Sequence, residues 1–291
     1  MLSHADVRLG LRLAESLSSE RTLISYLVRV AIMNLMVQPV WEGVADRRWN
    51  DSQLVELMDT FGREQPMAAM KYALDGERGF GNSLIELMRR RPDLYDSFAS
   101  PPPNGGEAEA GFSAIKWMPS GWLLLEQLEY NKMMDALLKL EAGLSTQASN
   151  PAAYSKQSAE WHASLQPSPA LLFQHRIFAQ MLLPALANVR VKTAQLASTL
   201  AMLRTSCALE RYYLSKQSYP ESLSGLAPTY ISEVPKDATK GGELNYQRLP
   251  KERYRLSTLR LKGIEEGHGK PIGRGEEDSD DSWVWAYGTE Q

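Results

Sequence analysis

Cysteine is nearly absent from this sequence. Its single representative among 291 residues, Cys207, excludes an internal disulfide and any cysteine-rich zinc site. An excess of charge of either sign is missing too. The 32 Lys and Arg against 35 Asp and Glu leave a formal net charge of -3, which removes the electrostatic case for a nucleic acid or an anionic membrane surface as partner. There are only four histidines, His4, His162, His175 and His268, and none stands at the spacing of an HExxH metal site. No GxSxG elbow, Walker loop or Rossmann glycine fingerprint occurs, so no catalytic residue is assigned. The start, MLSHADVRLGLRLAESL, lacks the basic-then-apolar order of a signal peptide. What the chain does have is 43% hydrophobic residues, enough for a real core at this length.

Those hydrophobic residues fall mostly at helical spacing. Ser3 with Asp6 forms a capping-box start, and Val7, Leu11, Leu13 and Leu17 give the following helix an apolar side. From Leu23 to about Ala45 runs the most apolar stretch, LISYLVRVAIMNLMVQPVW. Arg29 and Asn34 interrupt it and Pro39 ends it, so a central buried helix is expected rather than a membrane span. Asn50 or Asp51 caps the next helix, which carries Leu54, Val55, Leu57 and Met58 and stops near Gly62. A fourth begins after Pro66 and runs, with strain expected at Gly76, Gly79 and Gly81, to Arg89–Arg91, where cations suit a helix C-terminus. Glu77 and Arg78, flanked by glycines, are expected to form a structural ion pair.

SPPPNGGEAEAG, at 100–111, has the composition of a flexible connector. Beyond it GWLLLEQLEYNKMMDALLKLEAGL reads as a helix with Leu124, Leu128, Met134 and Leu138 available for burial. A very long helical pattern starts at Pro169, bends at Pro184 and reaches about Gln217. Leu196, Leu200, Leu203, Cys207 and Leu214 lie on one face of it. That placement makes Cys207 a core residue rather than a nucleophile. After Tyr219-Pro220 the pattern changes: ELNYQRL, RYRLSTLRL and SWVWAY are short, rich in aromatic and branched residues, and read as strands of a small antiparallel sheet. The long helix is expected to cover that sheet through Leu196, Leu200 and Leu203. The expected fold is mostly α with a small α+β part: a helical-hairpin bundle over 1–166, then a long helix on a small antiparallel sheet over 167–291.

The segment ALERYYLSKQSYPESLSGLAPTYISEVPKDATKGGELNYQRL resembles the C-terminal part of the major pseudopilin of type II secretion systems. Tyr219, Pro220, Leu223, Leu226, Tyr230, Val234, Pro235, Lys236, Asp237 and Tyr246 stand where that pattern puts them. The resemblance covers about the last third of the chain and implies a pseudopilin-like module. The helical first half resembles a region that accompanies this tail in uncharacterised, envelope-associated bacterial proteins. Two departures matter. Lys262, in STLRLKG, stands where the family has a calcium-binding aspartate, and the helix before Ala208 continues back into a polar, alanine-rich stretch rather than an apolar membrane-embedded one.

The acidic run EEDSDDSWVW resembles the end of the family's calcium loop. Asp278, Asp280 and Asp281 with backbone carbonyls supply several of the six to eight oxygens that calcium needs. Lys262 opposes a cation there, and carboxylate runs commonly serve as solvated turns or edge protection, so the solvated turn is preferred and calcium is the alternative. The resemblance implies a non-enzymatic structural or protein-interaction role in the bacterial cell envelope, linked to secretion or pilus-like assemblies, with protein partners that include similar pseudopilin-like modules. The alternative is a hydrolase with a site in the cleft between the helical and C-terminal parts, metal-dependent if the acidic loop holds an ion.

Overall fold

The structure is a computed structural model that describes residues 3–94, 119–147, 160–161, 163–165, 174–237, 242–250, 253–259 and 282–286. It is mostly helical with a small antiparallel sheet. The helices are α1 (His4–Ser16), α2 (Leu23–Ala45), α3 (Asp51–Gly62), α4 (Pro66–Arg90), α5 (Ser120–Gln147), α6 (Ile177–Leu182) and α7 (Pro184–Lys216). The strands are β1 (Asn245–Leu249), β2 (Arg253–Leu259) and β3 (Ser282–Ala286), in the order β1-β2-β3 with both pairings antiparallel. The connector at 100–111 lies outside the described residues, as do Asp278, Asp280, Asp281 and Lys262.

The chain divides into two compact units, and the division differs from the expected 1–166 and 167–291. One unit comprises Met1–Glu20, Ile24–Met70 and Val189–Gln291; the other comprises Arg21–Leu23 and Lys71–Asn188. The first helices thus share a unit with the C-terminal helix and sheet, because burial depends on which faces meet and not on order along the chain.

In the first unit the ends of the helices are set locally. Ser3 accepts from the Asp6 amide while the Asp6 carboxylate accepts from Ser3, and Asn50 and Gln53 do the same for α3. The inner face of α2 presents Tyr26, Val30, Met33, Val37 and Val44 to the core. Tyr26 donates to the Pro66 carbonyl and shares a 2.6 Å hydrogen bond with Thr193 of α7, and its burial pushes the phenol up to about 12. Arg29, which looked like an interruption from sequence, is paired with Glu64 between α3 and α4. Leu196, Leu200, Leu203 and Cys207 are buried as expected, and burial pushes the Cys207 thiol up and leaves it inert. Two details differ. Leu196 faces a small gap shared with Tyr26, Val30 and Met33 of α2, so its neighbours include that helix, and Leu214 is exposed because α7 is near its end there.

The sheet alternates as an antiparallel pair should. Tyr254, Leu256 and Thr258 of β2 are buried and the residues between them are half-exposed. Trp283 and Trp285 of β3 occupy the rungs opposite Thr258 and Leu256. α7 is tied to the segment before β1 by Ser198, whose hydroxyl donates to the fully buried Asp237 at 2.9 Å.

In the second unit α4 continues unbroken past its three glycines. Glu77 and Arg78 do not form the expected pair. Glu77 accepts from the Leu23 amide at 2.8 Å, while Arg78 reaches Asn131 and Asp135 of α5, each at 2.7 Å. Consecutive helical residues point about 100° apart, so the two charges find different partners. The buried face of α5 is also turned from the expected one: Leu123, Tyr130, Met133, Met134 and Leu137 are inside, while Leu124 and Leu128 are exposed. The expected bend at Pro184 is a break, α6 ending at Leu182 and Pro184 opening α7 at the first helical position, where its missing N–H costs nothing.

Candidate functional site

α2 is apolar on nearly every side, and a helix of that kind belongs in a core or a bilayer. By length and composition it would also pass as a membrane span. Its inner face is packed as described, but the opposite face is open, which corrects the expectation of a fully buried helix. Ile24, Val28 and Leu35 are 74%, 45% and 67% exposed, and Ala31 between them is exposed as well. These four positions follow each other at steps of 4, 3 and 4 residues, the spacing of a seam that receives another helix. No charged residue lies on that line between Ile24 and Leu35. The signal was present in the sequence, but the outer stripe of a helix apolar all round is not separable from its core stripe without a structure.

Among the described residues, two groups of polar side chains elsewhere hold parts of the fold together. An open cleft of about 320 Å³ lies between the N-termini of α1 and α3, lined by Ser3, His4, Pro39, Arg48, Trp49 and Gln53 among others. Ser3 and Gln53 serve the two capping boxes there, and Trp49 donates to the Val40 carbonyl at 2.9 Å. His4 lies edge-on to the Trp49 ring, 5.8 Å between centroids, and 3.7 Å from Glu56. In the second unit, fully buried Glu126 accepts from the Phe178 amide at 3.2 Å and from the Trp122 indole at 3.3 Å, so it closes the start of α6. Burial raises its carboxyl above the usual range, against those hydrogen bonds. His175, the other described histidine, packs edge-on against Trp122 at 4.2 Å.

Sequence reasoning missed a third group, at the end of α7. Glu210, buried, accepts from the Tyr219 hydroxyl in the turn that follows the helix. Tyr219 packs on Tyr213 and edge-on against Tyr254 of β2, with centroids 5.0 and 4.9 Å apart. Arg47, held at φ 51° after α2, stacks its guanidinium 3.8 Å from the centre of the Tyr213 ring and donates to that hydroxyl at 2.8 Å. Burial lifts the Glu210 carboxyl to about 7, although Tyr219 and Arg47 both favour the charged form. The sequence hint was the tyrosine-rich ERYY…SYP itself, which reads as core packing until Glu210 is placed beside it.

Among the described residues no three His, Cys, Asp or Glu side chains gather as a metal site. The candidate calcium residues Asp278, Asp280 and Asp281 lie outside the described residues. No protein-family model, curated protein or solved structure matches the chain.

Proposed function

We propose that this chain is a non-enzymatic interaction protein of the bacterial cell envelope, whose α2 outer face packs against an apolar α-helix of a protein partner. The observation that carries the reading is the open stripe Ile24–Val28–Ala31–Leu35. A charge-free seam at 4-3-4 spacing suits knobs-into-holes contact with a helix, and exposed apolar patches of this kind mark interaction sites. We read α2 as a packed helix, and support for this comes from its inner face, which is joined to α7 through Tyr26 and Thr193.

The C-terminal helix, tyrosine turn and sheet form the module by which the chain would join pseudopilin-like assemblies. Support comes from the likeness of Tyr219-Pro220, Leu223, Leu226 and the Pro235-Lys236-Asp237 segment to the pseudopilin pattern. In the structure Tyr219, Leu223, Leu226 and Asp237 are all buried, and the Tyr246 hydroxyl donates to the Pro220 carbonyl at 2.8 Å. The test is a Val28→Lys, Leu35→Lys double variant made in the source organism. Both sites are exposed, so the melting temperature of the purified protein should stay near wild type while the envelope-associated complex containing the chain falls apart on native gels. A complex unchanged by the two lysines, in a protein of unchanged stability, would refute the assignment of α2.

A further inference from the structure

We propose that the outer face of α2 is a homodimer seam, on which a second copy of this chain lays its own α2 antiparallel. The inference rests on the reading of that face as a protein contact, and it names the partner. The 4-3-4 spacing of Ile24, Val28, Ala31 and Leu35 is the same in both directions along the helix. A two-fold axis between Val28 and Ala31 therefore sets Ile24 of each copy against the partner's Leu35, and Val28 against the partner's Ala31. The outer layers then join two large side chains each. The inner layers join a valine to an alanine, so the helices approach most closely at the axis, where Ala31 leaves room for the knob opposite.

A two-fold interface sets each patch against its own image, so a charge on it or along its rim would face its like. On α2 the positions bordering the seam, Ser25, Leu27, Ile32 and Asn34, carry no charge, and Arg29 is turned away to Glu64. α1 widens the patch. It lies against α2 where Gly10 meets Met36, so closely that a methyl group at Gly10 would stand 2.2 Å from the Met36 sulfur. α1 gives Val7, Leu11 and Ala14 to the core as α2 gives Val30, Met33 and Val37, which leaves Leu9 and Leu13, 59% and 55% exposed, on the same outer side as the seam. With Ile24, Val28 and Leu35 they cover, over two copies, on the order of 1,000 Å², the size at which a specific interface begins. A dimer at that lower bound is reversible rather than obligate.

The stripe is narrow, because Asn34 and Gln38 beside it are exposed and polar. That width suits one facing helix better than a lipid surface, which takes a broad apolar side with basic residues along its edges. Antiparallel pairing also fixes distances. Ile24 lies opposite the partner's Leu35, whereas the two copies of Ile24 are separated along the axis by the span from 24 to 35, about 16 Å at about 1.5 Å per residue. A disulfide joins Cα atoms only up to about 7 Å apart, so position 24 can be bridged to 35 of the other copy and not to its own equivalent.

The purified full chain, in buffer without detergent, tests it. Sedimentation equilibrium should give twice the chain mass at about 100 µM. Ile24→Lys, at an exposed position, should sediment as a single chain with an unchanged melting temperature. Mixing Ile24→Cys with Leu35→Cys under mild oxidation should give a disulfide-linked pair several-fold more abundant than either variant forms alone, with Cys207 buried and adding no background. A monomeric wild type, a dimer that persists in Ile24→Lys, or a 24-to-24 bridge as abundant as the mixed one overturns the proposal. A monomeric wild type beside an envelope complex that Val28→Lys, Leu35→Lys still breaks leaves the helix-binding role to a different protein, whereas a complex left intact by those lysines, with no dimer in solution, removes both.

Discussion

Gly76 and Gly79 lie three residues apart in α4, and replacing each by alanine should move stability in opposite directions. A methyl group at Gly76 would sit 1.7 Å from the backbone carbonyl oxygen of Arg21 and 2.7 Å from its carbon. That neighbour is main chain and cannot swing aside, and it is held in place because Glu77 accepts the Leu23 amide and the Arg21 guanidinium lies over the Tyr72 ring. Relief requires α4 and the 21–23 segment to part by more than 1 Å, breaking contacts on both. Overpacking of this kind typically costs about 1–3 kcal/mol, and an unyielding backbone places Gly76→Ala at or above the top of that range, near 3 kcal/mol. At Gly79 a methyl group meets nothing within 4 Å. Helix propensity alone then acts, and Gly79→Ala should stabilise by about 0.5–1 kcal/mol. Urea unfolding followed by circular dichroism gives both values in one series, with the slope checked for a common two-state transition. If Gly76→Ala were as stable as Gly79→Ala, the close approach of α4 to Arg21 would be wrong.

Three further outcomes follow from the buried groups. Leu200→Ala should cost about 2–5 kcal/mol in thermal or urea melts, while Leu214→Ala, at an exposed position, should change stability by less than about 0.5 kcal/mol. Glu126→Ala strands the Phe178 amide and the Trp122 indole and should cost about 1–3 kcal/mol for each donor left without an acceptor. Because burial raises the Glu126 carboxyl above its unfolded value, the native state holds that proton more tightly, so its contribution is least favourable once pH is well above the ordinary carboxyl range. Glu126→Gln should therefore gain stability relative to wild type on going from pH 4 to pH 7, a trend read from denaturant melts at the two values, and a relative loss would refute that sign.

How far the sequence could be read depended on whether the cause was local. Caps are local: the Ser3–Asp6 and Asn50–Gln53 boxes need only four residues each, and α1 and α3 start where those residues say. Strand alternation is local as well, so ELNYQRL, RYRLSTLRL and SWVWAY became β1, β2 and β3. Which face of a helix is covered is not local. α5 has leucines on more than one side, and the covered side was settled by partners as remote as Trp161, whose indole reaches the Met133 carbonyl. The same reason hid the open side of α2, and it separated Glu77 from Arg78, whose partners lie 53 to 57 residues away. Glu210 was invisible for a further reason: a glutamate near a helix end reads as solvated unless the Tyr219 turn is known to fold back over it.

The helix-binding role of the α2 outer face has a direct test. A photoreactive amino acid placed at Val28 or Leu35 in the source organism should yield discrete protein adducts, lost when Ile24 is changed to lysine, whereas the same probe at exposed Arg12 of α1 should yield none. Adducts of lipid mass alone, or no adduct from Val28 and Leu35 under conditions where the protein is abundant and folded, would contradict it.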